Sequence, residues 1–393
     1  MSEAGIDAAL LIHHRDILYY AGTARPAVLL VSPRGTCLLV RRGLAYARRE
    51  ARVAHVEPMN GLSAVAERLA ELGLAGGVLG TELDLMPARI ARRLREVCPT
   101  WSLADVSPLV LDQRAIKDEA EIAATRAAAG VADAGHAVVP RTAVPGMSEL
   151  ALAAAVEMAM RQAGHEGFQP LRHPGARGGG VLLASGENLS VRGGHGLVVT
   201  GVGLSPSMPY GASRRVLERG DLVVVDIGST YAGYTGDESR TFVIGRATDE
   251  QRALFAVARA AEDALLENLR PGALPADLCA AAEAVVAGGA SSHGRSSSAG
   301  CSSSAFPPGS LTLPGFVGHG LGLELDELPV LWPRSKTPVQ AGMVLAIEIE
   351  VSAPGTGDMV KLEDTVLVRP DGADCSGPYE LLTATPRELI ECG

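Results

Sequence analysis

Leu222-Val223-Val224-Val225-Asp226-Ile227, answered by Asp237 in Gly233-Tyr234-Thr235-Gly236-Asp237, is the stretch on which the reading of this chain turns. A continuous β-branched run reads as a strand buried on both faces, and residues 241–244 read as its antiparallel return. A carboxylate inside such a strand is costly unless it is paired or holds a cation. With the hairpin turn centred near Tyr231 and Ala232, Asp226 and Asp237 fall directly opposite each other, roughly 5 Å apart at Cβ. Two like charges that close imply a raised pKa or a cation between them. A surface hairpin with ordinary solvated acids is the competing reading.

Further acids lie toward the C-terminus. In Val344-Leu345-Ala346-Ile347-Glu348-Ile349-Glu350, strand alternation puts Glu348 and Glu350 on one face with Val344 and Ala346. In Val360-Lys361-Leu362-Glu363-Asp364-Thr365-Val366, Glu363 shares its face with Lys361. Exposed strand acids are the plain alternative for both stretches, and for Glu350 it is the preferred one. His319 sits in Gly318-His319-Gly320-Leu321-Gly322, read as a loop whose glycines let backbone or substrate come close. His173 and His195, near other glycine-rich stretches, read as structural or solvated. Asp226, Asp237, His319, Glu348 and Glu363 together form an oxygen-dominated set with one imidazole. Such a set suits Mn, Fe, Co or Zn in a reactive site rather than structural zinc, which prefers thiolates. Four carboxylates exceed the need of one divalent cation, whereas two ions with bridging carboxylates balance the charge.

Composition narrows the field. The chain has 393 residues, 47% of them hydrophobic and 20% charged, with a formal net charge of −10. So apolar and weakly charged a chain folds, and its acidity argues against nucleic acid as the main partner. Cys37, Cys98, Cys279, Cys301, Cys375 and Cys392 are scattered, which fits neither a zinc ribbon nor a disulfide framework and fits reduced thiols in a cytoplasm. No run approaches the ~20 apolar residues of a membrane span, and no basic leader precedes an apolar run at the start. A membrane partner is therefore not expected.

The length implies two domains. Residues 1–112 alternate strands (8–13, 27–32 and 36–41, the last two joined at Pro33-Arg34-Gly35) with helices (62–74 and 87–97), the rhythm of a small α/β domain. A boundary is expected near residue 115, giving domains 1–115 and 116–393. Beyond it come an Ala-rich helix over 119–138 and a helix capped by Ser148 with Leu150, Ala154, Val156 and Met160 inward. Thr248-Asp249-Glu250-Gln251 is a capping box opening a helix to residue 269, and strands are expected over 343–351 and 360–368. Eight of the 14 residues 291–304 are serine, which reads as a flexible low-complexity loop.

The motifs together resemble the pita-bread metallohydrolase superfamily of methionine aminopeptidase, Xaa-Pro aminopeptidase, prolidase and creatinase. Gly220 through Gly228, with Gly233, Tyr234 and Asp237 through Phe242, is similar to the first two ligand strands of that family. Gly318 through Glu324 is similar to its histidine motif, and Gly342 through Glu348 and Lys361 through Thr365 to its two glutamate motifs. Gly5 through Leu11, Tyr19-Tyr20-Ala21-Gly22 and Leu111 through Lys117 resemble the N-terminal domain and link of the two-domain creatinase/prolidase branch. The resemblance implies a small N-terminal creatinase-like α/β domain followed by a C-terminal pita-bread α+β domain.

By the same resemblance Asp226 chelates one metal, Asp237 and Glu363 bridge both, and His319 and Glu348 hold the other. A water or hydroxide between two divalent ions, Mn foremost and Co, Fe or Zn otherwise, is then the nucleophile, and Glu348 shuttles its proton. The implied protein is a homodimeric Xaa-Pro aminopeptidase or dipeptidase acting on small peptides.

Three features depart from the family pattern. Leu204 through Gly211 holds no histidine before the first ligand strand, and Asp326 stands where a second histidine usually follows the Gly-His-Gly motif. Ile349 also replaces the proline usual after the first glutamate. These departures keep open a non-peptidase reaction, C–N hydrolysis or lysis of a small zwitterion. A metal-free partner-binding module of this fold generally loses ligands, and here all five positions are kept.

Overall fold

The computed structural model describes all residues except 171, 173–176, 179, 192–197, 289–305 and 371–376. The serine-rich stretch 291–304, His173, His195, Cys301 and Cys375 therefore lie outside the described residues. The chain divides into two units, Met1–Arg114 with Arg172–Gly175, and Ala115–Leu171 with Ala176–Gly393.

The first unit is an α/β layer structure. Strands β1 (Ala8–Leu11), β2 (Ala27–Ser32), β3 (Gly35–Val40), β4 (His55–Pro58), β5 (Gly77–Thr81) and β6 (Trp101–Asp105) form one sheet in the order β4-β3-β2-β1-β5-β6. Helices α1 (His14–Ala21), α2 (Leu44–Glu50), α3 (Ser63–Glu71), α4 (Ala88–Val97) and α5 (Ser107–Ala115) alternate with these strands. The expected hairpin is β2–β3, closing on Ser32 opposite Gly35. Side chains alternate across the sheet. Leu10, Leu30 and Leu39 pack with Val65, Leu69 and Leu94, while Leu11, Leu29 and Leu38 pack with Ile17, Ala47 and Val110.

The second unit begins with helices α6 (Glu119–His136), α7 (Val139–Thr142) and α8 (Glu149–Gln162), and later adds α9 (Asp249–Asn268) and α10 (Pro275–Gly288). Asp118 and Thr248 close capping boxes with Glu121 and Gln251 at the starts of α6 and α9. Ser148 caps α8 as expected, but its inward stripe differs. Glu149, Leu152, Ala153, Val156 and Met160 are buried, whereas Leu150 and Ala154 are exposed. The cause is the Glu149 carboxylate, which accepts hydrogen bonds from the Ser185 and Ser213 amides and hydroxyls and from Asn188 Nδ2. A carboxylate this fully satisfied can be buried, and it sets which side of the helix faces in.

Short strands β7 (Gln169–Pro170) and β8 (Arg177–Gly178) pair with each other. The main sheet contains β9 (Gly180–Ser185), β10 (Leu222–Tyr231), β11 (Tyr234–Ile244), β12 (Gly318–Gly320), β13 (Glu327–Val330), β14 (Val344–Ala353) and β15 (Asp358–Val368), in the order β13-β12-β14-β15-β11-β10-β9. Strand β16 (Tyr379–Leu381) adds to β15, and β17 (Ile390–Cys392) adds to β11. Val223, Val225 and Ile227 of β10 pack against Val131, Ala132, Val156 and Met160 of α6 and α8. Contact is tightest at Gly236, where a Cβ would lie 2.7 Å from the Ala129 amide nitrogen of α6, so no larger residue fits. Alternation then sends Asp226 and Asp237 to the sheet face away from α6.

On the helix side, Arg240 staples β11 to β15. Its guanidinium donates to the Glu363 carbonyl at 2.6 Å and to Asp364 Oδ1 at 2.7 Å, and it lies 3.0 Å from Glu238 Oε1. Arg387 reaches the other Asp364 oxygen at 3.0 Å. Removing one member of a buried charge network leaves its partners uncompensated. Arg240→Met should therefore lower the unfolding free energy by about 3–5 kcal/mol in a urea titration, and a loss below about 1 kcal/mol would show that the network does not hold the two strands together.

Candidate metal centre

The hairpin turn that joins β10 to β11 consists of Ala232 and Gly233, both at positive φ (50° and 86°), with Tyr231 opposite Tyr234. This two-residue geometry matches the right-handed twist of the strands, and it places the glycine at the second left-handed position. The turn therefore lies one residue beyond the position expected from the sequence. Asp226 faces Ser239 and Asp237 faces Gly228, so the two acids are diagonal neighbours rather than directly opposite. They still share one face, because the register moves by two.

Three further register pairs complete the arrangement. Glu348 of β14 lies opposite Glu363 of β15, and Glu363 lies opposite Ser239 of β11. Glu348, Glu363, Ser239 and Asp226 thus form one straight row across four adjacent strands. His319 lies opposite Ala346, two positions from Glu348 on the same face. Period-two alternation alone makes all five predicted residues converge. All are buried, from 1% exposure at Glu363 to 8% at His319. Asp237, His319 and Glu363 each offer a ligand atom within 4.8 Å of the others.

Histidine 319 lies on strand β12 rather than in a loop. A Cβ at Gly318 would run into the Ala346 carbonyl of β14, and one at Gly320 into the Leu328 carbonyl. The flanking glycines thus admit neighbouring backbone. The Nδ1–H of His319 donates to the Gly320 carbonyl at 3.0 Å, which leaves Nε2 as the acceptor. Nε2 faces Asp326 Oδ1 at 3.5 Å, Asp237 Oδ2 at 3.7 Å and Glu348 Oε1 at 3.8 Å. None of these is a hydrogen bond. An imidazole lone pair ringed by carboxylate oxygens calls for a positive charge in the middle.

Lysine 361 supplies one such charge. Its Nζ lies 2.8 Å from Asp226 Oδ2, 2.9 Å from Glu348 Oε2 and 3.0 Å from Glu363 Oε2. Burial alone would lower its pKa, but the surrounding carboxylates hold it well above the usual lysine value. For Glu363, burial and the carboxylates of Glu348 and Asp226 outweigh the pull of Lys361 and push the pKa up to about 8. Burial, with the charges of Glu363 and Asp226, also lifts Asp237 well above the carboxylate range. At His319 burial acts downward, and the carboxylates of Asp326, Glu348 and Glu363 reverse it and raise the pKa.

The donor set fits divalent metal ions. Four ionised carboxylates against one ammonium leave a formal charge of −3, a negative excess that divalent cations offset. The ligand chemistry, carboxylates with one imidazole, is that of Mn, Fe, Co or Zn.

Glu350 corrects its expected exposure. It is buried opposite Lys361, and its Oε2 accepts the Val199 amide at 2.7 Å. Sequence reasoning also missed Ser239, which donates to Glu363 Oε2 at 2.6 Å, and Thr365, which bonds the amide and the carbonyl of Asp237. Both share a face with the acids, so counting alternation from the correct turn would have found them. His165 is tied to structure, its Nδ1 accepting the Thr230 amide at 3.0 Å.

Comparison with known proteins places this geometry. Residues 123–370 match metallopeptidase family M24, and residues 1–116 match the creatinase/prolidase N-terminal domain. An Xaa-Pro dipeptidase of Pyrococcus horikoshii is 26% identical over 99% of this chain and 96% of its own length. The crystal structure of the prolidase from Pyrococcus horikoshii superposes with a TM-score of 0.78 at 26% identity, covering 99% of this chain and 97% of that one. An Xaa-Pro dipeptidase from Bacillus anthracis gives 0.79 at 25% identity, covering 99% and 96%. The chain belongs to metallopeptidase family M24, in the two-domain form with a creatinase-like N-terminal domain and a pita-bread C-terminal domain. As a member it is a metallopeptidase that uses divalent metal ions. No described helix is long and apolar enough to cross a membrane.

The raised carboxyl groups set the pH response of chelator-treated protein. Between about pH 4.5 and 8 the folded Glu363 holds a proton that the unfolded chain has released, so stability falls as pH rises. Asp237 acts in the same direction. Thermal melts across this range should show Tm dropping toward pH 8 without metal, and a divalent ion should restore it; a metal-free Tm that rises over the interval would contradict the buried cluster.

Proposed function

We propose that the protein is an Xaa-Pro aminopeptidase or dipeptidase whose two divalent ions are held by Asp226, Asp237, His319, Glu348 and Glu363. The observation that carries this is the row of carboxylates with the unbonded Nε2 of His319 at its edge. Support for the substrate comes from the relatives named above, whose own names are Xaa-Pro dipeptidase and prolidase. Asp226 would hold one ion, His319 and Glu348 the other, and Asp237 and Glu363 would serve both. Manganese suits the hard, carboxylate-rich set, with Co, Fe or Zn as substitutes. The catalytic domain is assigned to residues 116–393 and the N-terminal domain to 1–115, in a cytoplasmic homodimer.

Bound ions lower the pKa of water toward ~7 and polarise a peptide carbonyl. The chain supplies the rest. Glu348 is tied through Oε2 to Lys361, which leaves Oε1 to take the proton of the attacking water and pass it to the departing amine. Ser239 fixes the rotamer of Glu363, and Thr365 fixes the strand at Asp237. Lys361 holds three of the carboxylates in place before any ion arrives, which limits rearrangement during loading.

A second reading, C–N bond hydrolysis or lysis of a small zwitterion, is favoured by one observation. An acid, Asp326, stands beside His319 where peptidases of the family usually carry a histidine.

A screen of Xaa-Pro dipeptides and longer Xaa-Pro peptides with Mn, Co, Fe and Zn added separately tests the first reading. Turnover is expected with at least one metal, abolished by Asp237→Ala and reduced about 10²–10⁴-fold in kcat by Glu348→Gln. Metal-loaded protein that cleaves none of the peptides yet acts on a small zwitterion would establish the second reading instead.

A further inference from the structure

The turn between β12 and β13 is fixed at several points. Thr235 Oγ1 donates to the carbonyls of Gly322 and Glu324. The buried carboxylate of Glu327 accepts the Glu324 amide at 3.1 Å through Oε1 and pairs with Lys117 Nζ at 3.1 Å through Oε2. Gly322 leaves room for both partners, since a Cβ there would lie 2.8 Å from Lys117 Cε and 2.9 Å from Glu327 Oε2. Asp326 lies inside this braced turn. Its neighbour Glu327 points into the protein, so Asp326 is turned the other way, toward His319.

The distances favour a shared ion. Asp326 Oδ1 is 3.5 Å from His319 Nε2, nearer than either Asp237 or Glu348. Two ligands at ~2.1 Å from one ion, subtending a roughly tetrahedral angle, are separated by ~3.4 Å. The gap is too long for a hydrogen bond and has the length expected of two donors to one cation. His319 is more than nine-tenths buried, and its Nε2 has no hydrogen bond among the described residues. Asp326, by contrast, is half exposed, 51% of its side chain reaching solvent. It is thus the carboxylate at the rim, while the other four acids lie beneath it.

We propose that Asp326 is a further ligand to the divalent ion taken up by His319, so that this centre combines one imidazole with five carboxylates. The assignment rests on the metal-centre reading above. A fifth carboxylate adds a negative charge and a hard oxygen donor on the solvent side. Such a donor strengthens binding of Mn or Fe over softer-ligand metals and occupies a coordination position that a substrate atom would otherwise contact. The ion at His319 is thereby the tighter of the two, and the ion at Asp226 the more readily exchanged.

Calorimetric Mn titration of metal-free protein, together with Mn electron paramagnetic resonance, tests this in the full-length chain. Asp326→Asn preserves size and removes the charge. One of two binding steps should weaken on the order of 10–100-fold, the range that loss of a metal-supporting group commonly costs, and the other should stay unchanged. The loss should persist at 1 M KCl, because direct ligation is not screened, whereas attraction by a half-exposed charge acting through solvent is. Parental affinities in Asp326→Asn, or a loss that vanishes in high salt, overturn the proposal and leave Asp326 as a mere ion-pair partner of His319. Asp237→Ala is run in parallel. If it too binds both ions as the parent does, the metal centre itself is misassigned; if it loses metal while Asp326→Asn does not, only the rim ligand falls.

Discussion

Four carboxylates buried on one face of one sheet repel each other, and everything around them answers that repulsion. Lys361 places an ammonium among three of them, at 2.8–3.0 Å from each. Ser239 and Thr365 satisfy side-chain and backbone groups within the row. Across the sheet, Arg240 neutralises Asp364 and Glu238 while donating to the Glu363 carbonyl, so the strand that carries Glu363 is clamped from behind. The charge deficit that remains is the reason that the site draws cations. A hydrophobic replacement of the cluster would make a more stable sheet and a protein without chemistry.

Three of the six first-unit strands, β1 to β3, and the long strands of the second unit were legible in the sequence through short-range periodicity, whereas β4, β5 and β6 were not. The run at Leu222–Ile227 reads as a buried strand and lies in β10, and the capping box at Thr248 opens α9 as expected. The four acids stood out through their place in apolar strands and His319 only through the family pattern, and the sheet brings all five to one face. Their contacts were less so. The register of Asp226 and Asp237 hinged on whether Ala232 or Gly233 closes the turn, and a one-residue error there moves every cross-strand pair. Glu350 looked like a surface acid because its partner, the Val199 amide, is 151 residues away in sequence. Local pattern carries no record of such a partner.

His319 shows a similar limit. Gly-His-Gly reads as a loop, whereas it is strand β12, and the close backbone approach expected of its glycines comes from β13 and β14 on either side. Crowding holds the imidazole still, and the Gly320 carbonyl selects its tautomer. A side chain whose orientation and tautomer are both decided by main-chain atoms would lose little freedom on taking up an ion. Glu149 teaches the reverse lesson. An acid at the start of a helix, easily taken as solvated, turned inward because five donors waited for it.

The straight row from Glu348 to Asp226 spans four neighbouring strands, yet its members are spread over more than a hundred residues of chain. During synthesis the set stays incomplete until Glu363 has been added, and the row forms only when β15 has docked between β11 and β14. Long-range pairing of this kind forms late, since loop closure must come first. An ion therefore cannot template the sheet as zinc does a small finger. On this order of events an ion enters a site whose sheet is already in place.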